Sequence, residues 1–163
     1  MDDQTAKAPQ LLAIGFVQDA RAYVESARML YGVHRGAPRF SGPTYFLLGQ
    51  AMELVLKAHL SASGVSTRTL RHRIRHDVAL AFRYARRFFS FTPADARFTE
   101  LVGWLAPYLR DHSFRYRKAG YRVLPLASEA AEIIIKTVDG VEPFVRDQFM
   151  SMREHSRSSH HYA

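Results

Sequence analysis

Apolar residues recur at steps of three and four along most of this chain, and apolar and polar residues nowhere alternate over a run long enough to require a β-sheet. Steps of three and four put side chains on one face of an α-helix, whereas a strand needs a period of two. The first series starts at Pro9 and stops at Gly32, and its members are Leu12, Phe16, Ala20, Tyr23, Ala27 and Leu30. The pattern predicts an all-α antiparallel helical bundle of about five main helices.

Capping and breaking residues set the expected limits of these helices. The second helix is expected over residues 44–63, and its polar stripe pairs Glu53 with Lys57 four residues later. Asp77 is a good N-cap for the third helix, and a capping-box pattern over residues 92–95 predicts the start of the fourth. The expected core consists of Leu47, Leu48, Met52, Val55, Phe82, Leu101, Leu105, Ile133 and Ile134.

The last third of the chain carries a fifth helical series. It is expected over residues 126–139, where Gly140 ends it, and Pro143 permits a further short helix. The chain has no flexible linker and no internal repeat. We therefore expect a single domain over residues 1–154, followed by a disordered tail over residues 155–163.

The absence of cysteine excludes several kinds of site and indicates the cellular compartment. It excludes a disulfide scaffold, a thiolate zinc site and a cysteine nucleophile, and it is typical of a reducing compartment. No apolar run approaches the roughly 20 residues of a membrane span. Residues 1–4 are acidic where a signal peptide would be basic. We expect a cytoplasmic protein that does not enter the membrane.

The charge balance points to an anionic partner. The chain has 23 basic and 15 acidic residues, for a net charge of +8. All but four of the basic residues are arginines, which form bidentate contacts with phosphate and stack on bases. A general bias toward arginine in the source genome explains the same composition equally well, so net charge alone does not decide between the two interpretations.

Two segments concentrate the basic residues. Seven arginines fall within residues 68–87 against a single acid, Asp77. The second segment, residues 110–122, has no helical period and is expected to be a loop; its charged and aromatic members are Arg110, Arg115, Tyr116, Arg117, Lys118 and Arg122. Each segment is either a solvated face or a surface for an anionic ligand. For the second segment the ligand-binding interpretation is favoured, because the segment has no helical period.

Histidine is the remaining candidate for acid–base chemistry. His72 and His76 lie four residues apart, but three arginines beside them disfavour a bound cation: Arg71, Arg73 and Arg75. We therefore predict no metal site and no cofactor, and no phosphate-binding glycine loop is present in the sequence. His59 falls on the apolar side of the second helix, where a hydrogen-bonded core histidine is expected.

Residues 45–60 read Tyr-Phe-Leu-Leu-Gly-Gln-Ala-Met-Glu-Leu-Val-Leu-Lys-Ala-His-Leu, and His-Asp-Val follows at residues 76–78. Together these segments resemble the HEPN superfamily. Its members carry an aromatic residue, Leu-Leu-Gly-His-Ala and Glu-Leu-x-Leu-Lys-Ala on one helix, and His-Asp-Leu at the start of the next. The chain departs from this pattern at Gln50 and at Val78. The likeness extends over roughly residues 10–140.

The resemblance implies a helical bundle that commonly forms homodimers, as in RNase toxins and in partners of nucleotidyltransferases. Catalytic members carry an arginine, four to six intervening residues and a histidine. Arg71 and His76 fit this spacing, so the resemblance implies that His76 deprotonates a ribose 2′-hydroxyl while Arg71 stabilises the phosphorane. Arg28 with His34 and Arg153 with His160 have allowed spacings too, as chance predicts for a chain so rich in arginine.

Two functions therefore remain open from the sequence. The first is a binding module for a nucleotide, RNA or a partner protein, such as a nucleotidyltransferase or an antitoxin, in a bacterial defence or toxin–antitoxin setting. Its expected ligand-binding residues are Glu53, Lys57, Arg75, Arg115 and Tyr116, beside Arg71 and His76. The alternative is a metal-independent endoribonuclease in which Arg71 and His76 are catalytic.

Overall fold

The computed structural model describes residues 8–34, 41–116 and 122–159. These ranges contain six α-helices and no strand. The helices are α1 (Ala8–Val33), α2 (Ser41–Ala62), α3 (Thr67–Thr69), α4 (Val78–Phe89), α5 (Arg97–Arg110) and α6 (Ala127–Ser159). A π-helical turn, Leu70–Ile74, continues α3. The all-α prediction is confirmed, and the three-residue α3 accounts for the additional helix.

Helix α2 occupies the centre of the bundle and packs against α1, α4, α5 and α6. It is apolar around most of its circumference, because neighbouring helices cover it on several sides. Its fully buried side chains include Leu48, Met52, Val55 and Leu56. Every predicted core residue is buried except Leu47, which is partly buried against the core.

The limits of α4 and α5 illustrate two kinds of helix start. The Asp77 carboxylate accepts the backbone N–H of Leu80 at 2.9 Å, which confirms the predicted N-cap of α4. The predicted start of the fourth helix at residues 92–95 is wrong, since α5 begins at Arg97. The Asp95 carboxylate accepts the backbone N–H of Arg97 at 3.0 Å, so this segment forms an Asx-type turn ahead of the helix.

Helix α6 runs without interruption through Gly140 and Pro143, so the predicted stop at Gly140 and the separate short helix are wrong. A Cβ at position 140 would lie 2.9 Å from the Cβ of Ala94. Glycine is therefore needed there for the close approach of α6 to the segment before α5. Residues 155–159 of the predicted tail belong to α6, and residues 160–163 lie outside the described part of the chain.

Over the described ranges, no helix is both long enough and apolar enough to span a bilayer.

Ion pairs at the surface join α1 to α6, where Arg21 contacts Asp139 and Glu142, each at 2.8 Å. Of the three phenylalanines Phe88, Phe89 and Phe91, only Phe88 is exposed, since Phe91 is buried and Phe89 is partly buried.

Candidate functional site

The π-helical turn presents part of the first basic segment to solvent. Leu70 and Ile74 are buried and fix the turn to the core, whereas Arg71, His72 and Arg73 are exposed. A tight turn follows, in which the N–H of Asp77 donates to the carbonyl of Ile74 at 3.1 Å. This arrangement holds His76 at a fixed position beside α2.

Arg75 occupies the first central position of that tight turn, with φ 55° and ψ −118°. These angles belong to a type II′ turn, whose first central position ordinarily requires glycine. A residue with a Cβ pays about 1–3 kcal/mol for such a conformation, and strain of this kind concentrates at functional sites. The surrounding structure therefore holds the turn before His76 in a backbone conformation that Arg75 by itself disfavours.

Glu53 of α2 connects the turn to the core. Its residue exposure is 5%, and one carboxylate oxygen, Oε1, accepts from Lys57 Nζ at 2.6 Å and from His76 Nδ1 at 2.9 Å. Lys57 is also largely buried, with a side-chain exposure of 11%. A buried carboxylate without such partners is strongly disfavoured, so the contacts with Lys57 and His76 compensate for the burial of Glu53.

The loop after α5 brings the second basic segment to the same place. Ser113 N–H donates to the Tyr108 carbonyl at 2.9 Å, and His112 N–H donates to the Leu109 carbonyl at 3.3 Å. These two bonds form a Schellman motif, in which His112 takes the left-handed position at φ 57° that glycine usually fills. The motif turns the chain sharply, so that residues 112–115 face α2.

A small pocket of about 40 Å³ lies between α2, the turn before α4 and the loop after α5. We call it the basic pocket. Its lining residues are Phe46, Gly49, Gln50, Glu53, His76, Val78, Leu109, His112, Phe114 and Arg115. Arg110 of the second basic segment contacts Asp77 of the first, with 3.5 Å between Nη2 and Oδ2. Two basic segments that are far apart in sequence thus converge on one pocket.

Aromatic rings support the arginines around the basic pocket. The guanidinium carbon of Arg115 lies 5.0 Å from the centroid of the Phe46 ring, and that of Arg122 lies 5.6 Å from the Phe114 ring. Cation–π contacts of this kind orient a guanidinium without neutralising its charge. Arg115 is therefore positioned at the pocket with its hydrogen-bond donors available to a ligand.

The pocket unites three of the predicted site residues: Glu53, His76 and Arg115. Lys57 lies behind them, bound to Glu53. The structure does not place the remaining three in the lining: Arg71, Arg75 and Tyr116 are exposed on the adjoining π-helical turn, tight turn and loop. Two residues of the second basic segment, Arg117 and Lys118, lie outside the described part of the chain.

Sequence reasoning missed several lining residues, notably Phe46, Gln50, His112 and Phe114. Phe46 and Gln50 could have been found, because they stand seven and three residues before Glu53 and share its helix face. His112 and Phe114 carry no comparable signal. Their position depends on a Schellman motif that contains no glycine.

His76 has the geometry of an oriented imidazole. Because Glu53 only accepts hydrogen bonds, the proton shared with it is carried by His76 Nδ1. The other ring nitrogen, Nε2, has no hydrogen-bond partner among the described residues, and the side chain is 73% exposed. In the neutral form Nε2 can take a proton, and in the charged form it can donate to an anion.

Other charged and titratable groups fit a structural role. His59 is buried and contacts the carbonyl of Phe89 through Nε2 at 2.9 Å, which confirms it as a core histidine, and burial lowers its pKa from the usual value. The arginines of α4, Arg83, Arg86 and Arg87, are exposed and do not line the pocket. The described residues contain no group of three or more His, Asp or Glu arranged to hold a metal ion.

Comparison of the chain with protein-family models, with curated proteins and with solved structures gives no match.

Proposed function

We propose that this chain is a HEPN-like helical binding module that holds a phosphate-bearing ligand, a nucleotide or RNA, at the basic pocket. The observation that carries the proposal is the convergence of His76, His112 and Arg115 on one small pocket. These side chains supply N–H donors, and phosphate oxygens are strong acceptors. The HEPN resemblance adds a homodimer in a bacterial defence or toxin–antitoxin setting, and the cysteine-free sequence adds a cytoplasmic location.

The charge distribution supports an anion at this site. Among the described lining residues Glu53 is the one acidic member, and its carboxylate is already bound by Lys57 and His76. Two exposed arginines adjoin the residues next to the lining: Arg75 directly precedes His76, and Arg110 contacts Asp77, the residue after His76, at 3.5 Å. A pocket whose fixed charges are predominantly positive concentrates anionic ligands.

The aromatic residues support a nucleotide over a bare phosphate ion. Phe46 lines the pocket beneath Arg115, and Tyr116 next to it is 67% exposed. Exposed aromatic rings and guanidinium planes are the surfaces on which unpaired bases stack. A base can therefore contact Tyr116 or Arg115 while its phosphate lies at the histidines.

Binding is tested by fluorescence anisotropy with a short labelled single-stranded RNA and with a labelled nucleotide. We expect affinity to fall linearly with salt on a log–log scale. Arg115→Ala should weaken binding about ten- to hundredfold, because one charge-assisted contact is worth about 1.5–3 kcal/mol. Arg153→Ala is the matched control, because it removes an exposed arginine of α6 whose guanidinium carbon also lies over a ring, 5.7 Å from the centroid of Phe149.

Equal effects of Arg115→Ala and Arg153→Ala would mean that net charge alone attracts the ligand, and the pocket would lose its role. Absence of binding to either probe at low salt would remove the nucleic-acid function. A protein partner, such as a nucleotidyltransferase or an antitoxin, would then be the remaining candidate.

The second candidate is a metal-independent endoribonuclease, and the hydrogen bond between His76 and Glu53 favours it. A carboxylate that orients an imidazole is the arrangement found in general bases. In this reaction His76 Nε2 takes the proton of the ribose 2′-hydroxyl, whose oxygen attacks the neighbouring phosphorus. The bond between phosphorus and the 5′-oxygen then breaks, the 5′-oxygen takes a proton from water, and a 2′,3′-cyclic phosphate remains. Arg71 or Arg115 stabilises the phosphorane charge.

Cleavage is tested on labelled RNA in EDTA, with detection of 2′,3′-cyclic phosphate ends. His76→Ala should reduce the rate about hundredfold, the usual contribution of a general base. His155→Ala, in the exposed part of α6, is the matched control. If the wild-type protein binds RNA but never cleaves it, the enzyme is excluded and the binding module remains. If His76→Ala cleaves at the wild-type rate, His76 is excluded as the general base.

A further inference from the structure

A second cavity, of about 190 Å³, opens where the C-terminal end of α1 meets the first turn of α2 and the start of α6. We call it the tyrosine pocket. Its described lining residues are Leu30, Tyr31, His34, Ser41, Thr44, Tyr45, Leu124, Pro125, Leu126 and Ala127. It shares no residue with the basic pocket. The function proposed above does not involve it.

The described lining of the tyrosine pocket contains no Asp, Glu, Lys or Arg. It combines leucines with tyrosine rings, hydroxyl groups and one imidazole, that of His34. The Tyr45 hydroxyl donates to the backbone carbonyl of Pro125, and burial raises the pKa of Tyr45, so this phenol stays neutral. An ionised ligand would lose its hydration here without a carboxylate, ammonium or guanidinium counter-ion among the described lining residues, and this cost is much smaller for a neutral ligand.

The size and walls of the cavity suit one aromatic ring. A cavity of about 150 Å³ in a protein core is sufficient for benzene. The tyrosine pocket slightly exceeds this volume, and Tyr31 and Tyr45 provide aromatic surfaces for edge or offset contacts. Ser41 and Thr44 add hydroxyl groups to the wall, next to which a single polar substituent can be accommodated.

The pocket also has an approach from solvent. Past Tyr31 and Ala127 it adjoins a wider groove of about 410 Å³ between α1 and α6, whose walls include Arg28 and Glu132. Charged side chains therefore lie in the outer groove and uncharged ones in the inner pocket. This division admits a ring to the interior and leaves any charged substituent outside it.

We propose that the tyrosine pocket is a binding site for a neutral single-ring aromatic molecule that carries one hydroxyl or amine group. Its ligand differs in kind from that of the basic pocket, since one site excludes charge and the other recognises it. The proposal is independent of whether the basic pocket binds phosphate.

The test uses p-cresol as the probe and benzoate, a charged ring of similar size, as its counterpart. Titration of the ¹⁵N-labelled protein should shift the amide signals of Tyr31, Thr44 and Ala127 with p-cresol and leave those of Gly49 and His76 unchanged. Saturation is expected at millimolar concentration, because a ligand of this size contributes about 4 kcal/mol of binding free energy. Benzoate should bind at least tenfold more weakly.

Two variants locate the site. Ala127→Leu fills the interior, and Ser41→Leu fills the wall at the first turn of α2, so each should weaken p-cresol binding at least tenfold. Ser26→Leu adds the same bulk on the exposed face of α1 and is the control. Circular dichroism and the amide spectrum establish that each variant is folded.

The proposal is overturned if p-cresol shifts none of the three amides, if its shifts fall at the basic pocket instead, or if benzoate binds as well as p-cresol. It is also overturned if a folded Ser41→Leu variant binds p-cresol like the wild type.

Discussion

The basic pocket and the tyrosine pocket lie on either side of a stacked ring pair. Tyr45 and Phe114 have ring centroids 5.7 Å apart; Tyr45 lines one pocket and Phe114 the other. Adjacent residues of α2, Tyr45 and Phe46, therefore serve different sites, because successive helix positions point about 100° apart. The same helix supports a charged and an uncharged cavity.

The two pockets differ in what completes them. Turns complete the basic pocket, and two of their residues, Arg75 and His112, have positive φ values of 55° and 57°. Helix ends and residues 124–126 complete the tyrosine pocket, with apolar side chains. The difference shows that one rigid bundle can place unlike chemistry on two sides of its central helix, because different segments complete each cavity.

The largest expected effect concerns the buried carboxylate of the basic pocket. Glu53→Gln leaves Lys57 without its counter-ion at low exposure, so we expect a loss of about 3–5 kcal/mol in unfolding free energy. Urea denaturation followed by circular dichroism measures it. Glu132→Gln breaks an exposed ion pair with Lys136, 2.7 Å long, and should cost less than about 1 kcal/mol. Equal costs for the two variants would contradict a buried, essential Glu53.

The second prediction concerns a methyl group added to the lining of the basic pocket alone. A Cβ at Gly49 would lie 2.1 Å from Leu109 Cδ2, so Gly49→Ala forces Leu109 into another rotamer. We expect a loss of about 1–3 kcal/mol and weaker RNA binding, with p-cresol binding unchanged. Gly15→Ala, where nothing lies within 4 Å, is the control and should be neutral or slightly stabilising. A Gly49→Ala protein with full stability and RNA affinity would show that the contact with Leu109 is unimportant.

The third prediction concerns strain at the basic pocket. Arg75→Gly relieves the type II′ conformation but adds freedom to the unfolded chain, so we expect a net gain of up to about 1 kcal/mol. Arg73→Gly, at an exposed position of the π-helical turn, should instead lose about 0.5–1 kcal/mol. Thermal unfolding of both variants measures the difference. Destabilisation of both by the same amount would mean that Arg75 is not strained.

The smallest expected effect is that of acid on the bundle that carries both pockets. His59 has a folded-state pKa below its usual 6.5, because burial disfavours the charged form. The unfolded chain therefore binds a proton first, and stability should fall as pH drops below about 6.5 toward the folded pKa. Above pH 7 both states are neutral and this dependence vanishes. Urea titrations at several pH values measure it, and His59→Phe should have a flatter profile over this window.

Helix faces and the bundle core were accessible from the sequence, because they depend on local periodicity. The α4 cap at Asp77 and the buried positions of α2 follow directly from spacing and residue type. The uninterrupted course of α6 could not be predicted from the sequence. A glycine that permits a close approach looks the same in sequence as a glycine that ends a helix. Ala94, which makes the approach close, lies 46 residues away from Gly140.

Only part of the candidate site could be predicted from the sequence. Glu53, His76 and Arg115 have residue types that indicate binding chemistry, and the pocket does contain them. Arg75 and His112 hold turn conformations that sequence rules reserve for glycine, so nothing local predicts the turns that bring the two basic segments together. Those turns are imposed by tertiary packing, which local propensity does not describe.

The ring pair of Tyr45 and Phe114 makes the two cavities members of one thermodynamic cycle. A ligand that displaces the Tyr45 ring changes the energy of placing Phe114, and a ligand that displaces Phe114 changes that of placing Tyr45 by the same amount. The sign of this coupling free energy decides whether the two ligands favour or exclude each other. Its size is bounded by the strength of one ring contact, about 0.5–1.5 kcal/mol, or a two- to tenfold change in affinity.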